Sequence, residues 1–303
     1  MISLSGTTFF LMLNESFFRY LQYEKRFSPH TITAYRNDLE SYAEYIKSQF
    51  ELEDLSNIPH TIIRSWIVQL MDSGMKSKSI NRKISSLKSY YRFLQRQGVI
   101  SQSPMLKIVS PKVPKRLPQY VESSHMEELL AEVDFDESFD GFRNRLIIEI
   151  FYATGIRVSE LISLKTNQVN LAQMQLKVLG KRNKERIIPI SDYLYDLMLN
   201  YSTFKDKLLI DTEHYFCKEN GEPLYTKFVY RLVKSELSKV TTLQKKSPHI
   251  LRHTFATHML NNGADLNAIK EILGHSSLAA TQVYTHNSIE KLKNIYKQAH
   301  PKG

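Results

Sequence analysis

Four short stretches of this chain carry residue types that could act together. ATGIRVSEL, residues 153–161, sets Arg157 three positions before Glu160. SPHILRHTFATHML puts His249 and Arg252 at i,i+3, on one face of a helix that Pro248 opens. ILGHSSLAATQVYTH has Gly274 breaking a helix, His275 directly after it and Tyr284 nine residues on. Lys181 stands at the turn KRNK, between two apolar runs. A phenol with a pKa near 10 is a poor nucleophile at neutral pH, but two nearby guanidiniums favour its anion. Guanidinium forks grip phosphate oxygens and stabilise the charge that develops during phosphoryl transfer. Imidazoles share protons near neutral pH, and a lysine can protonate a leaving alkoxide. Taken as one site, these six residues describe nucleophilic catalysis at a phosphodiester.

Each signal alone is ordinary. An arginine and a glutamate at i,i+3 are common surface chemistry, a turn lysine is usually solvated, and Tyr284 is one of 17 tyrosines. His249, His253 and His258 lie close enough together to suggest a metal site. No carboxylate lies between Glu236 and Asp265, however, and HExxH is absent, which argues against a zinc enzyme. The joint occurrence of the six carries the reading.

The elements that must position them follow from periodicity. The N-terminal hundred residues read as helices: FFRYLQYEKRF, then SPHTITAYRNDLESYAEYIKSQF with Ser28 as N-cap and Pro29 at the first helical position. Tyr35, Leu39, Tyr42 and Ile46 form one apolar stripe. HTIIRSWIVQLMDSG stops at Gly74, and a further helix carries Ile80, Ile84, Leu87, Tyr91 and Leu94 before closing at Gly98. That last helix holds Lys76, Lys78, Arg82, Lys83, Lys88, Arg92 and Arg96 and no acid. Like charges without a partner repel, so this segment reads as a surface for a polyanion, with Ser79, Asn81 and Ser86 able to add hydrogen bonds to phosphates or bases. SPMLKIVSPKVPKRLPQYV, residues 103–121, has four prolines and four basic residues and reads as an extended basic linker. Beyond it, two helices are followed by strands LAQMQLKVLG and ERIIPI, and helices then run to the end. The expected fold is mainly α in two domains: a helical N-terminal domain, residues 1–104, a linker, 105–121, and a mixed α/β domain with a small antiparallel sheet, 122–303.

Composition bounds the rest. The formal charge of +10 and the 41 basic against 31 acidic residues favour nucleic acid over an anionic membrane surface. No apolar run reaches membrane-spanning length, and the N-terminus lacks the basic start of a secretion signal. Cys217 is the only cysteine, which excludes an intrachain disulfide and suits the cytoplasm.

TGIRVSEL, GKRNKERIIPI, SPHILRHTFATHMLNNGADL and LGHSSLAATQVYTH resemble the tyrosine recombinases, and among them the Xer group that resolves chromosome dimers. SPHTITAYRNDL, NRKISSLKSYYRFL and the closing AHP extend the resemblance over nearly the whole chain. It implies that Tyr284 forms a 3′-phosphotyrosine link and frees a 5′-hydroxyl. Arg157 and Arg252 would clamp the scissile phosphate, and His249 and His275 would supply an acid/base and a phosphate donor, in an order that residue identity leaves open. Lys181 would protonate the leaving oxygen, and Glu160 would support the first arginine. It further implies a core-binding and a catalytic domain closing on duplex DNA, with Lys76, Lys78, Arg82, Lys83 and Lys88 on the DNA side. No nucleotide and no metal would be required. The partners it implies are a double-stranded recombination site, a tetramer on two such sites, a paralogous Xer subunit and an FtsK-type translocase, on the nucleoid. In this family the last helix docks on a neighbouring subunit, so Ile289, Leu292, Ile295 and Tyr296 are expected to face one. Two positions depart from the pattern: Arg182 stands where a glycine is common, which leaves Lys184 as a competitor for Lys181, and Asn167 where an aspartate is frequent.

Other readings make different demands. A mobile-element integrase shares the chemistry but usually adds an N-terminal arm-binding domain, and only about ten residues precede the first helix here. A catalytically silent DNA-binding protein has no need of six catalytic residue types in register. A metal-dependent nuclease would need clustered carboxylates.

Overall fold

The computed structural model describes residues 14–114, 119–131, 135–180, 185–274 and 294–301. The chain divides into two compact units, residues 1–116 and 117–303.

The first unit is helical. Helix α1, residues 14–24, ends in a π-helical turn, Tyr20–Glu24. Helix α2, Pro29–Phe50, starts where the Ser28 hydroxyl accepts from the Thr31 amide, with Pro29 in the position that needs no donor. Helices α3, His60–Asp72, and α4, Ser77–Arg96, follow. The apolar stripes meet in one core: Leu39, Tyr42 and Ile46 of α2, Trp66 of α3, and Ile80, Ile84, Leu87, Tyr91 and Leu94 of α4 are all buried. The Tyr42 ring lies 4.9 Å from that of Trp66, and its hydroxyl meets that of Tyr91, which donates to the Leu55 carbonyl.

Some of the α4 charges have acidic partners. Asp38 of α2, fully buried, accepts from Arg82, from the Lys83 ammonium at 3.3 Å and from the Ser86 hydroxyl at 2.7 Å. Arg96 pairs with Glu24. The acid is supplied 44 residues upstream of Arg82, across the helix packing, where a reading confined to α4 misses it. Lys83 and Ser86 therefore face the interior, contrary to their assignment to the DNA side. Asn81 donates to the Pro111 carbonyl. Lys76, Lys78, Arg82 and Arg92 are exposed and Lys88 is half-buried. The proline-rich segment also begins differently from a free tether: Pro104–Lys107 forms a 3-10 turn, and Met105 and Ile108 are buried in the first unit's core.

The second unit surrounds α6, Phe139–Thr154, which is buried on most of its circumference and packs between α8, Asp192–Lys207, and α10, Pro248–Asn261. Around them stand α5, Ser123–Ala131, the short α7, Val158–Ile162, α9, Thr226–Val240, and α11, Leu266–Leu273. The sheet is antiparallel, in the order β1, Val169–Asn170, β2, Gln175–Leu179, and β3, Glu185–Pro189. Leu176 and Val178 of β2 and Arg186 and Ile188 of β3 point inward, as period-2 alternation requires. The β2–β3 ladder runs from Gln175 opposite Pro189 to Leu179 opposite Glu185.

Residues 294–299 are helical and pack on their own unit. Tyr296 is buried and stacks on His300 at 4.9 Å, and Asn262 donates to the Ala299 carbonyl. Tyr296 thus fills this unit's core rather than facing a neighbour; Ile289 and Leu292 lie outside the described residues. Among the described residues no helix is long and apolar enough to cross a membrane.

Removing one member of a buried ion pair leaves an uncompensated charge, so Asp38→Ala should destabilise the protein by about 3–5 kcal/mol. Urea denaturation followed by far-UV circular dichroism would measure it, and an unchanged first midpoint would show the Asp38 cluster to be dispensable.

Candidate active site

Helix α6 ends at Thr154, and Gly155, at φ 59°, turns the chain. A Cβ there would lie 2.6 Å from a methyl of Leu273 and 2.7 Å from the Phe255 ring, so only glycine lets α6 end this close to α10 and α11. Two residues later Arg157 is the N-cap of α7. Glu160, at N3, reaches back to its backbone N–H at 2.8 Å and takes its Nη1 at 2.7 Å. The local spacing that made this pair look like surface chemistry instead folds Glu160 inward, where its side chain is 2% exposed.

The second arginine comes from α10. Pro248 opens that helix, His249 is exposed on its first turn, and Arg252, one turn on, is buried. Arg252 donates from Nη1 to the Gly155 carbonyl at 2.5 Å and from Nη2 to the Leu273 carbonyl at 2.7 Å. Those contacts fix the guanidinium between the end of α6 and the end of α11.

The end of α11 gathers three guanidiniums. Its last carbonyls have no partners within the helix and carry the negative end of its dipole. Arg186 donates from Nε to the Ile272 carbonyl at 2.7 Å, Arg252 to that of Leu273, and Arg157 from Nη2 to that of Gly274 at 3.2 Å. Gly274 caps the helix in the left-handed region, at φ 64°, and a Cβ there would lie 3.0 Å from Cδ of Arg186. Arg186 then completes a bidentate fork with Glu160, both bonds 2.8 Å.

Three guanidiniums and one carboxylate leave a net formal charge of +2. Burial would raise the Glu160 carboxyl, but hydrogen bonds and charge from Arg186, and then the Arg157 backbone and side chain, hold it down at about 2. Burial first, then the neighbouring Arg157 and Arg186, lower the Arg252 guanidinium to about 9, so it stays charged at neutral pH. With 22% of its side chain exposed, Arg157 is the open edge of the cluster, and its unused N–H groups and those of Arg252 can take an anion.

Of the residues singled out in the sequence, Arg157, Glu160 and Arg252 come together, and His249 lies one turn from Arg252. Lys181, His275 and Tyr284 lie outside the described residues. The basic residues of α4 belong to the first unit. His258 is buried, its Nδ1 3.0 Å from the Tyr152 hydroxyl, and His249, about two and a half turns away, faces solvent, so the two cannot share a metal ion. The sequence reading missed Arg186. Its signal was a charged residue at the inward position of ERIIPI, on the same face as Ile188.

Profiles of known families match both units. The phage integrase family matches residues 119–291, and the phage integrase N-terminal SAM-like domain matches residues 15–98. The chain is 37% identical to the tyrosine recombinase XerC of Chlorobaculum parvum, over 95% of this chain and 94% of that protein. It is 38% identical to the tyrosine recombinase XerD of Staphylococcus aureus, over 95% and 98%. Among solved structures, the fold is shared with the XerH site-specific recombinase bound to palindromic difH substrate in a post-cleavage complex, at TM-score 0.69, 20% identity, and 97% and 88% coverage. It is shared too with the Tn1549 transposon integrase in complex with transposon right-end DNA, at TM-score 0.67, 18% identity, and 92% and 97% coverage.

Because the Glu160 carboxyl is lowered from 4.5 to about 2 in the folded chain, its contribution is complete above about pH 4.5 and is lost as pH falls towards 2. Glu160→Gln should therefore be less stable than the native chain near neutral pH, by on the order of 3 kcal/mol, and the difference should shrink on acidification. Denaturation midpoints measured across that range would test this, and a gap independent of pH would contradict it.

Proposed function

This chain belongs to the phage integrase family, as a Xer-type tyrosine recombinase that cuts and rejoins DNA at specific sites, and from that premise we propose that Tyr284 is its nucleophile and that Arg157 and Arg252 hold the scissile phosphate. The phenolic oxygen attacks phosphorus, the bond to the 5′-oxygen breaks, and a 3′-phosphotyrosine link remains. The phenolic proton passes to one of the two histidines, His249 or His275, and Lys181 gives one to the departing 5′-oxygen. One ester bond replaces another, so a 5′-hydroxyl can reverse the attack and rejoin the strands without nucleotide or metal.

The observation that carries this reading is the pair of guanidiniums of Arg157 and Arg252, donating to neighbouring carbonyls of one helix end and backed by Glu160. Charge on the phosphoryl oxygens grows on the way to the transition state, and donors already fixed in place need no reorganisation to meet it. In the first unit, Lys76, Lys78, Arg82 and Lys88 contact backbone phosphates; Lys83, held by Asp38, is left out of that set. The XerC and XerD relatives favour a chromosomal role over mobile-element integration: resolution of chromosome dimers at cell division. Such a role brings with it a tetramer on two sites, a paralogous Xer subunit and an FtsK-type translocase as partners, in the cytoplasm on the nucleoid.

Incubated without metal with a nicked Xer-type suicide duplex, the protein should give an SDS-resistant DNA adduct that Tyr284→Phe abolishes. Arg252→Ala should slow its formation by about 100- to 1,000-fold, the usual loss for one oxyanion donor. An adduct that survives Tyr284→Phe would overturn the assignment of the nucleophile. In a salt titration of DNA binding, Lys78→Ala should weaken affinity for all sequences alike and reduce the salt slope by about 1.

A further inference from the structure

Arg186 is 4% exposed, and its three contacts are all internal. Nη1 and Nη2 take the two oxygens of Glu160, and Nε takes the Ile272 carbonyl. Glu160 is also what Arg157 leans on, through its backbone N–H and its Nη1. The carbonyls just beyond Ile272 hold Arg252 and Arg157. One planar fork therefore touches both supports of the phosphate-binding pair. We infer that Arg186 is a positioning residue for strand cleavage: clasped by Glu160 and by the last turn of α11, it fixes Arg157 through the carboxylate and Arg252 through the helix end, without itself meeting DNA. This rests on the roles proposed for Arg157 and Arg252.

A lysine cannot replace this arrangement. Its single ammonium cannot span two carboxylate oxygens and a carbonyl lying along the opposite edge of one rigid plane. Nor is the arginine there only to neutralise Glu160, which already has Arg157. What Arg186 adds is the bond to α11, which ties the carboxylate on α7 to the helix end that His275 directly follows in the chain.

The test separates binding from chemistry in the full-length protein. Arg186→Lys should bind the recombination duplex within about threefold of the native affinity, because affinity is spread over many phosphate contacts. Its single-turnover cleavage of the nicked duplex should be slowed about 100-fold, the loss expected for misplaced reacting groups. The pH profile gives a second readout. The charged groups facing Glu160 are Arg157 at the head of α7, Arg186 on β3 and Arg252 on α10. In Arg186→Gln, burial is opposed by the remaining two alone, so the carboxyl takes up a proton at higher pH and releases Arg157. Relative to its own plateau, cleavage by Arg186→Gln should fall between about pH 7 and about pH 5 more steeply than native cleavage does.

Should Arg186→Gln fail to fold, the double exchange Glu160→Gln with Arg186→Gln removes both partners of the buried ion pair and should fold yet cleave slowly. Native-rate cleavage by that double variant or by Arg186→Lys overturns the inference. If the native chain itself forms no Tyr284-dependent adduct, the proposed site fails first and this inference falls with it; an intact native adduct with unaffected Arg186 variants removes the Arg186 role alone.

Discussion

Three guanidiniums converge where α11 ends, and the arrangement stands only because negative charge of two kinds lies among them. One is the Glu160 carboxylate, buried and shared by Arg157 and Arg186. The other is the row of carbonyls at residues 272–274, the partial negative end of a helix. Without them, like charges in a place largely closed to water would repel at short range and low dielectric. With them, every guanidinium is aimed, and the cluster still carries a formal excess of +2. A phosphodiester brings one negative charge and approaches two as phosphorus becomes five-coordinate, so the excess matches the transition state more closely than the ground state. Glu160, Gly155 and Gly274 serve this one place, as does the close approach of α6, α10 and α11.

The first unit solves a related problem in reverse. A helix dense in cations is hard to pack, since its inner face has to join a core. Asp38 divides the charges of α4 between interior and solvent. It draws Lys83 and Ser86 inward, touches Arg82, whose side chain stays half exposed, and leaves Lys76, Lys78 and Arg92 to solvent.

What was legible in the sequence was what is local. The apolar stripes of α2 and α4, the caps at Ser28 and Gly274, the two strands of residues 175–189 and the i,i+3 pairs Arg157–Glu160 and His249–Arg252 all follow from residues a few positions apart. Their convergence at one place had to be supplied by chemistry: no spacing rule brings residue 157 to residue 252. The misses were the contacts made across packing. Asp38 meets α4 from another helix, Arg186 reads as one more charge in a basic hairpin until α7 and α11 close on it, and Tyr296 shows an amphipathic pattern whose partner is this chain's own core. Exposure could be inferred along an element, but not which neighbour would cover it.

The packing of Tyr296 and Ala299 bears on how the proposed nucleophile meets its target. Gly274, whose carbonyl Arg157 holds, and the helix of residues 294–299, held through Asn262, both belong to the second unit, and the sequence between them includes His275 and Tyr284. Both flanks of that stretch are fastened to the body that carries the arginines, so the proposed nucleophile is tethered along the chain from two sides. The proposed meeting of Tyr284 with the phosphate is then a matter of effective concentration, set by the number of residues between the two fastenings and independent of how much protein is present. Inserting residues between the fastenings would dilute the tyrosine only slowly, because closure entropy grows with the logarithm of loop length, whereas releasing either one would leave it tethered from a single side.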